Sequence, residues 1–484
     1  MDNHNSILEL GIKFDVPLEA VIKSDLLRLG LSFSPEALKA CVIAKPKSYF
    51  IFSFDRVSQK EMSEMERQAV PEEIALIGGP YDLKRTIVSV RVNPRSPYQI
   101  FADVGGSSAL GSFVSEPAVP SPQAPATSRL RSRPTQENRL EGGVGLRELP
   151  QKNEPSASSI KLALKRNGEL ICFILLPLYP PYYSQPLKSG KPVSDIAPTI
   201  EWGYLVYLTA FRLCQYFGVE EECQFCDINH NYRQQKGVGR PYTGIKTPEE
   251  VVEALRIIFE MDTDRVSQAY TVSGGAVTKE LNGMKEAEFY AQYARTIEDK
   301  FPGRWIGKAN VQALPLDEVK ILKKAGYQIY HPNYEVWDPK LFSKLSPGKE
   351  RYIGRDEWIK RTLDAAGVFG PENVIPNFVA GIEMSRPHGF DSIDEAIAST
   401  REGLEFFMSR GIFPRFTTWC VEPGTALTAN NSEPPPLEYY VRLLQIYRDT
   451  FRKYGLPYPK GYGEPGLGRA VFSVSAFMDI LGQG

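Results

Sequence analysis

From about residue 201 onward, short apolar runs alternate with longer segments in which apolar side chains recur every three or four positions. This alternation is typical of βα units built around a parallel sheet. The pattern predicts a helix that starts near Thr247, further helices near 284–300, 315–324, 356–368 and 393–409, and strands near 204–211, 267–273, 305–312, 328–331, 374–381 and 414–419. Six such units predict an α/β fold, a partial (βα)6 barrel, with its chemistry at the carboxyl ends of the strands.

The first 104 residues follow a different pattern. β-Branched and aromatic runs at 48–54, 86–93 and 98–104 are bounded by Pro, Gly and Asp, which predicts the strands of a small α+β module at 1–104. Two apolar runs within 159–200 flank Asn167-Gly168, a pair that suits a two-residue type I′ hairpin. This hairpin could join the N-terminal sheet or lead into the next domain.

The remaining segments complete a modular division. Residues 105–158 are rich in Pro, Ser and Gly and have no apolar period, which predicts a flexible linker. The barrel core is predicted at 201–430, and a C-terminal helical extension at 431–484. We therefore expect proteases to cut first within the linker.

The composition of the chain indicates which partners and which cellular compartment to expect. The chain has 57 basic and 58 acidic residues, so its global charge predicts neither nucleic acid nor an anionic membrane as a partner. Its six cysteines among 484 residues are too sparse for a disulfide framework. The chain shows no secretory leader pattern and no apolar run long enough to span a membrane. These features predict a cytoplasmic protein.

Three of the cysteines are close together directly after the first predicted strand of the βα series. Cys214, Cys223 and Cys226 are arranged as C-x8-C-x2-C. Three thiolates can bind three irons of a [4Fe–4S] cluster and leave the fourth iron open to another ligand, such as the amino and carboxylate groups of S-adenosylmethionine (SAM). Zinc is the alternative, with His230 available as a fourth ligand.

The surroundings of these cysteines resemble the radical SAM superfamily over residues 200–430, about half of the chain. The resemblance is carried by Phe225 before the last cysteine, by Lys246-Thr247-Pro248 at the next helix, and by Ser273-Gly274-Gly275 at the end of the second strand. The cysteine spacing is five residues longer than the common C-x3-C-x2-C. The resemblance implies a [4Fe–4S] cluster and SAM as cofactors. It also implies an unidentified small-molecule substrate and an electron donor such as ferredoxin or flavodoxin.

The same resemblance implies the reaction and the residues that bind SAM. One electron would cleave SAM to methionine and a 5′-deoxyadenosyl radical, which abstracts hydrogen from the substrate. The residues expected to contact SAM are Ser273, Gly274 and Gly275 at its amino group, Asn310, Gln312 and Glu335 at its ribose or carboxylate, and Glu383 near its adenine.

Two further residues are candidates for catalysis. Cys420 follows the sixth predicted strand and could donate a hydrogen atom, bind an accessory cluster or simply pack in the core. His331, at the end of the fourth predicted strand, is the best acid or base candidate, with a structural hydrogen-bonding role as the alternative.

Three short motifs carry a finer resemblance, and two alternative functions also fit the sequence. The finer resemblance, to a poorly characterised radical SAM subfamily encoded beside nitrilases, is carried by Ser346-Pro347-Gly348-Lys349, Phe369-Gly370 and Pro423-Gly424-Thr425. One rival is a barrel lyase or aldolase with a Schiff base on Lys308. The other is a zinc or iron–sulfur scaffold that performs no catalysis.

Overall fold

The computed structural model describes residues 4–47, 54–102, 162–237, 244–430, 433–466 and 470–482. The linker predicted at 105–158, and all but the last residue of the strand predicted at 48–54, lie outside these ranges. Within them, no helix has the length and apolar character needed to cross a membrane.

A six-stranded sheet forms the N-terminal part. Its strand order is β1-β4-β5-β6-β2-β3. The elements are helices α1 (His4–Lys13), α2 (Leu18–Leu29), α3 (Pro35–Cys41) and α4 (Glu64–Ala69), and strands β1 (Ser32–Phe33), β2 (Glu73–Gly78), β3 (Leu83–Ser89), β4 (Tyr98–Ala102), β5 (Leu162–Arg166) and β6 (Glu169–Leu175).

The predicted hairpin is confirmed, and its place in the fold is now defined. Asn167 and Gly168 join β5 to β6 with φ angles of 50° and 89°, and a type I′ turn requires positive φ at both positions. β5 pairs with β4, and β6 pairs with β2, all antiparallel. The hairpin therefore belongs to the N-terminal sheet, so a fragment starting near residue 159 would lose both neighbouring strands.

The second sheet contains the predicted βα series. It comprises α5 (Val193–Ile196), β7 (Thr199–Glu201), β8 (Leu205–Thr209), α6 (Ile228–Gly237), α7 (Pro248–Met261), β9 (Ala269–Ser273), α8 (Glu286–Lys300), β10 (Ile306–Val311), α9 (Leu316–Ala325) and β11 (Ile329–Pro332). The sheet order is β11-β10-β9-β8-β7, parallel from β8 to β11, and β7 is added antiparallel at the edge of β8. The sequence did not predict β7.

The remaining elements are α10 (Pro339–Leu345), α11 (Pro347–Tyr352), α12 (Arg355–Phe369), β12 (Asn377–Ala380), α13 (Ile393–Met408), β13 (Arg415–Thr418), α14 (Ala426–Ala429), α15 (Leu437–Lys453) and α16 (Phe477–Leu481). β12 and β13 form a separate parallel pair. Isolated parallel bridges from Tyr330 to Val374 and from Glu335 to Phe378 connect β12 to the β11 side. All six predicted strands thus overlap observed ones in a mixed α/β fold.

Helix α7 shows how local sequence defines these elements. The Thr247 hydroxyl accepts a hydrogen bond from the Glu250 backbone N–H at 3.2 Å, and the Glu250 carboxylate accepts one from the Thr247 N–H. This capping box satisfies backbone donors that the first helical turn leaves free. Pro248 occupies the first helical position, and Val251 is buried on the inner face. The predicted helix start is confirmed.

The C-terminal segment connects the N-terminal sheet to the β12–β13 pair. The Ser89 N–H of β3 donates to the Ser473 carbonyl at 3.0 Å, and the Thr418 N–H of β13 donates to the Val474 carbonyl at 3.0 Å. Lys23 forms a buried ion pair with Asp479 at 2.8 Å. Residues 470–476 therefore lie between the N-terminal sheet and β13, while the predicted domain boundaries stay a prediction.

Candidate active site

A cavity of about 250 Å3 lies at the carboxyl ends of the parallel strands. Ser273 at the end of β9, Val311 at the end of β10 and Thr418 at the end of β13 all line it. The predicted site residues that line this cavity are Cys214, Cys223, Cys226, Ser273, Gly274, Gly275, Asn310, Gln312, Glu335 and Cys420. The fold thus brings together residues that are up to about two hundred positions apart in the chain.

The cysteine loop runs from the end of β8 to the start of α6 and is held by Asn229. The Asn229 side-chain oxygen accepts a hydrogen bond from the Cys214 N–H at 3.0 Å, and its amide donates to the Tyr216 carbonyl at 2.7 Å. The Cys226 N–H donates to the Cys223 carbonyl at 3.0 Å. These bonds give the eight residues between the first two cysteines a defined path.

Two glycines allow the end of β9 to approach this loop. A Cβ on Gly275 would lie 2.1 Å from the Leu213 carbonyl oxygen, and one on Gly274 would lie 2.5 Å from the Phe211 ring. The Ala276 N–H lies 3.4 Å from the Cys214 sulfur, to which it donates. Packing against the cysteine loop alone therefore requires both glycines, whatever they contact in a ligand.

A second close approach comes from α11, in the Ser346–Lys349 motif. A Cβ on Gly348 would lie 2.5 Å from the Glu221 carbonyl oxygen, which accepts a hydrogen bond from the Gly348 N–H at 3.1 Å. The neighbouring Lys349 forms an ion pair with Glu335 and donates to the Asn333 carbonyl at 2.8 Å. Glu335 itself has a φ of 79°, a conformation that is uncommon for a residue other than glycine.

The thiols of the loop are poor acids as they stand. Burial raises the pKa of Cys214 to about 11 and that of Cys223 to about 12, and it raises the pKa of Cys226 well above its ordinary value. The positive charge of Lys349 opposes this rise at Cys214 and Cys223. A bound metal would have to displace these protons, because the thiolate is the form that ligates.

The arrangement fits an iron–sulfur cluster better than zinc. Zinc binds sulfur at about 2.3 Å, which brings its ligands within about 4 Å of one another. Over the residues that the structure describes, no three His, Cys, Asp or Glu side chains are close enough to hold one metal ion. Three cysteines that line one cavity match the ligand number of a [4Fe–4S] cluster with one open iron, whereas zinc would need a fourth ligand. His230 packs against Gly424 and is not among the described residues lining the cavity.

Asn310 and Gln312, both predicted to contact SAM, differ in whether their side chains already have hydrogen-bond partners. The Asn310 side-chain oxygen is buried and has no hydrogen-bond partner among the described residues. Gln312, in contrast, accepts from the Tyr216 hydroxyl and donates to Glu286 and to the Val277 carbonyl. Burial raises the pKa of Glu286 to about 7, against the hydrogen bonds from Gln312. Asn310 is thus available to a ligand, whereas Gln312 supports the cysteine loop.

Of the two catalytic candidates, Cys420 is among the described residues that line the cavity and His331 is not. Cys420 is buried and lines the cavity, and burial raises its pKa to about 12 despite the charge of Arg91. His331 is buried outside the described cavity lining, with Nδ1 3.0 Å from the Ile375 carbonyl oxygen and Nε2 3.4 Å from the Tyr462 hydroxyl. Burial lowers the pKa of His331 well below its ordinary value. The structure therefore places His331 in a structural hydrogen-bonding position.

Glu383 is also apart from the cavity. It is buried, accepts hydrogen bonds from the Thr400 hydroxyl at 2.9 Å and from the Gly381 N–H at 2.7 Å, and also contacts the Tyr439 hydroxyl. It is not among the described residues that line the cavity. Its predicted contact with adenine stays a prediction, and the observed contacts stabilise the turn after β12.

The Schiff-base alternative finds no support at Lys308. This lysine is buried, donates to the Gly461 carbonyl at 2.6 Å and lies 3.4 Å from the centre of the Tyr462 ring. It is not part of the described cavity lining. Burial lowers its pKa well below the ordinary value, but a carbonyl substrate in the cavity would not meet its amine.

Sequence reasoning missed a second group of residues that line the cavity. They are Glu73, Ser89, Thr199, Glu201, Tyr207, Arg415 and Ser473. They come from the N-terminal sheet, from β7, β8 and β13, and from the C-terminal segment. No local motif connects them, so only the fold could identify them as one group.

No protein-family model matches the chain. The bacteriochlorophyllide c C-7(1)-hydroxylase of Chlorobaculum limnaeum is 21% identical over 307 residues, covering 60% of this chain and 71% of that protein. Among solved structures, the FeFe-hydrogenase maturase HydG from Carboxydothermus hydrogenoformans is 14% identical, with a TM-score of 0.38 over 54% of this chain and 55% of that chain. Coproporphyrinogen III oxidase HemN from Escherichia coli, a radical SAM enzyme, is 13% identical, with a TM-score of 0.30 over 52% of each chain.

The chain spans about half the length of these two solved structures. Of these two solved structures, HemN is the one described as a radical SAM enzyme.

Proposed function

We propose that the protein is a radical SAM enzyme that acts on a small molecule. The observation that supports this most directly is the shared cavity: Cys214, Cys223 and Cys226 line it together with the glycine-rich end of β9, at the carboxyl ends of parallel strands. Chemistry in such folds is concentrated at that edge. We further propose that β8 to β13 act as one partial (βα)6 barrel around this cavity.

In this proposal, the three cysteines hold a [4Fe–4S] cluster. When bound, the cluster would supply the electron that cleaves SAM to methionine and a 5′-deoxyadenosyl radical, which abstracts hydrogen from the substrate. The Ala276 N–H, which donates to the Cys214 sulfur, would stabilise the thiolate form of that ligand. Lys349 would add a positive charge beside Cys214 and Cys223.

The protein's further contribution is to bind and orient SAM and to exclude water. We propose that the free side-chain oxygen of Asn310 accepts a hydrogen bond from SAM. Ser273, Gly274, Gly275, Gln312, Glu335 and Glu383 stay predicted contacts, direct or through neighbours. Cys420 is proposed as a hydrogen-atom donor because its thiol is protonated and faces the cavity.

The substrate is proposed to be a small molecule that shares this cavity with the cluster and SAM. We propose that an electron donor such as ferredoxin or flavodoxin reduces the cluster.

Anaerobic reconstitution tests this function directly. The full chain should bind about four irons and four sulfides, absorb broadly near 400 nm and release 5′-deoxyadenosine from SAM under reducing conditions. Replacing Cys214, Cys223 or Cys226 by Ala should abolish all three signals. Cys41→Ala and Cys172→Ala, which change buried thiols in the N-terminal sheet region, are the matched controls.

Three results would contradict parts of the proposal. A Cys214→Ala variant that still cleaves SAM would exclude Cys214 as a ligand. Stoichiometric zinc without SAM affinity would favour the scaffold alternative. Borohydride trapping of a carbonyl substrate on Lys308 would favour the lyase.

A further inference from the structure

The lining of the cavity also contains two buried carboxyl groups from different sheets. Glu73 begins β2 of the N-terminal sheet, and Glu201 ends β7 at the edge of the second sheet. Each is 3% exposed, and both line the cavity. Ser473, from the C-terminal segment, lines the same cavity and lies 3.5 Å from Glu201.

Each carboxyl group has one oxygen that accepts hydrogen bonds and one without a partner within hydrogen-bond distance, and the Ser473 hydroxyl beside Glu201 also lies near Glu73. Glu73 Oε2 accepts a hydrogen bond from the Trp202 N–H at 3.1 Å. Glu201 Oε1 accepts from the Tyr207 hydroxyl at 3.3 Å and from the Ser473 hydroxyl at 3.5 Å. Glu73 Oε1 and Glu201 Oε2 are buried without a hydrogen-bond partner among the described residues. Two acceptors are therefore left unsatisfied in a cavity.

Burying an acceptor without a hydrogen-bond donor lowers the stability of the folded state, so this arrangement is unfavourable unless a donor binds to the free oxygens. Burial raises the pKa of Glu73, and the charge of Glu72 adds to the rise. Burial raises the pKa of Glu201 too, and the charge of Glu73 is the next cause. The two groups thus disfavour each other's ionisation.

The positive charges around the pair are engaged by other groups, except that Arg415, which lines the same cavity and donates to the Tyr462 hydroxyl at 3.0 Å, has a buried Nε without a partner among the described residues. Lys45 is paired with Glu72 at 3.4 Å, Lys308 donates to the Gly461 carbonyl, and Lys23 is paired with Asp479. These lysines act on the pair through space. A ligand carrying a positive charge would be the first direct ionic partner of the two free oxygens within the described structure.

We propose that Glu73 and Glu201 form a subsite that binds a cationic nitrogen, an ammonium or amidinium group, of the small-molecule substrate. This inference rests on the proposed function, because it treats the cavity as the site where hydrogen is abstracted. A cationic N–H group donates to both free oxygens at once, and charge-assisted hydrogen bonds of this kind are about twice as strong as neutral ones. A single metal ion is a poorer occupant, because no described trio of ligands surrounds it.

The subsite also gives the N-terminal sheet a role in recognition. Glu73 reaches the cavity because β2 lies next to β3, and β3 is held against the C-terminal segment by the bond between Ser89 and Ser473. The sheet thus contributes one half of the pair, and the βα series contributes the other half.

Binding of a probe cation by the full-length, cluster-loaded protein with SAM present tests the inference. The probe is butylamine, which is cationic at neutral pH, and 1-butanol is its neutral match. Calorimetric titration should show butylamine binding that Glu73→Gln or Glu201→Gln weakens by at least about tenfold, as expected for the loss of a charge-assisted hydrogen bond. Glu260→Gln, which changes an exposed carboxyl on α7, should bind as the unaltered protein does.

Two results would overturn the inference: equal butylamine affinity in both variants and the unaltered protein, or equal affinity for 1-butanol and butylamine. Glu201→Asp, which keeps the charge, should retain more affinity than Glu201→Gln, and thermal unfolding should show that each variant is folded. Iron content and 5′-deoxyadenosine are measured on the same samples. Charge-dependent amine binding without SAM cleavage would refute the proposed function and leave the subsite standing. SAM cleavage without charge-dependent amine binding would refute only the subsite.

Discussion

Two parts of the cavity are built in opposite ways. The cysteine end comes from one loop, with Cys214, Cys223 and Cys226 within thirteen consecutive residues, and from the strand end that packs on it. The other part of the cavity, called the carboxyl end after the side-chain carboxyl groups of Glu73 and Glu201, is assembled from two sheets. These two residues are more than a hundred positions apart in the chain. The proposed metal ligands are therefore close together in the sequence, whereas the proposed cation subsite is assembled by the fold.

The two ends also differ in how they are supported. The backbone of the cysteine loop is fixed by Asn229 and by close contacts at glycines of β9 and α11. At the carboxyl end, one oxygen of each acid lacks a partner among the described residues. The backbone of the cysteine loop is thus held by the protein itself, whereas the free oxygens of Glu73 and Glu201 would gain hydrogen bonds from the proposed ligand.

The largest effect is expected from Gly275→Ala, which tests the packing at the cysteine end. The new Cβ would lie 2.1 Å from the Leu213 carbonyl oxygen, so either the loop or β9 must move. We expect unfolding free energy to fall by about 3 kcal/mol, the upper part of the usual overpacking range, and iron binding to fall with it. Chemical denaturation and iron analysis measure the two effects.

Gly367→Ala is the matched control. Gly367 lies within α12, and a Cβ there has no neighbour within 4 Å. Alanine should stabilise the helix by about 0.5–1 kcal/mol and leave iron content unchanged. If Gly275→Ala behaved like Gly367→Ala, close packing would not explain the glycine at the end of β9.

The same contrast explains what could be predicted from the sequence. The cysteine motif and the six strands were recognisable because ligand spacing and apolar periodicity are local properties of the chain. Strand β7 escaped because Thr199–Glu201 has only three residues, too few for a period. His331 and Glu383 occupy strand and turn positions consistent with function, yet their hydrogen-bond partners lie in Ile375, Tyr462 and Tyr439. Such long-range pairing carries no local signal.

A smaller effect is expected from Glu201→Gln, which tests the carboxyl end through pH. The folded pKa of Glu201 and that of Glu73 are raised above their unfolded values. The folded state therefore binds more protons than the unfolded state as pH rises above the ordinary glutamate range, so stability falls with rising pH. Glu201→Gln should unfold at higher temperature than the unaltered protein at pH 8, by the equivalent of about 1–3 kcal/mol, and differ little at pH 4.

Glu260→Gln controls for the loss of one negative charge. Its carboxyl lies on the surface of α7, paired with Arg256 at 2.7 Å, and exposed pairs of this kind contribute little to stability. Thermal unfolding at both pH values should match that of the unaltered protein. A Glu201→Gln variant with the same pH profile as the unaltered protein would show that the carboxyl pair is not destabilising when ionised.

The smallest change in stability is expected from Asn310→Ala, which asks whether any side chain at the cysteine end is also waiting for a ligand. The Asn310 side-chain oxygen is buried without a described partner, so its removal should leave thermal unfolding nearly unchanged. SAM affinity, measured by equilibrium dialysis on the cluster-loaded protein, should weaken by about tenfold, the value of one hydrogen bond. Gln312→Ala should lower stability more and SAM affinity less, because it removes the side-chain partner of the Tyr216 hydroxyl and of Glu286 Oε2. It should lower stability by about 1–3 kcal/mol and iron content with it. If Asn310→Ala binds SAM as tightly as the unaltered protein, the free oxygen of Asn310 does not contact SAM. Glu73 and Glu201 would then be the tested residues whose free oxygens depend on a ligand, and the two parts of the cavity would differ more clearly.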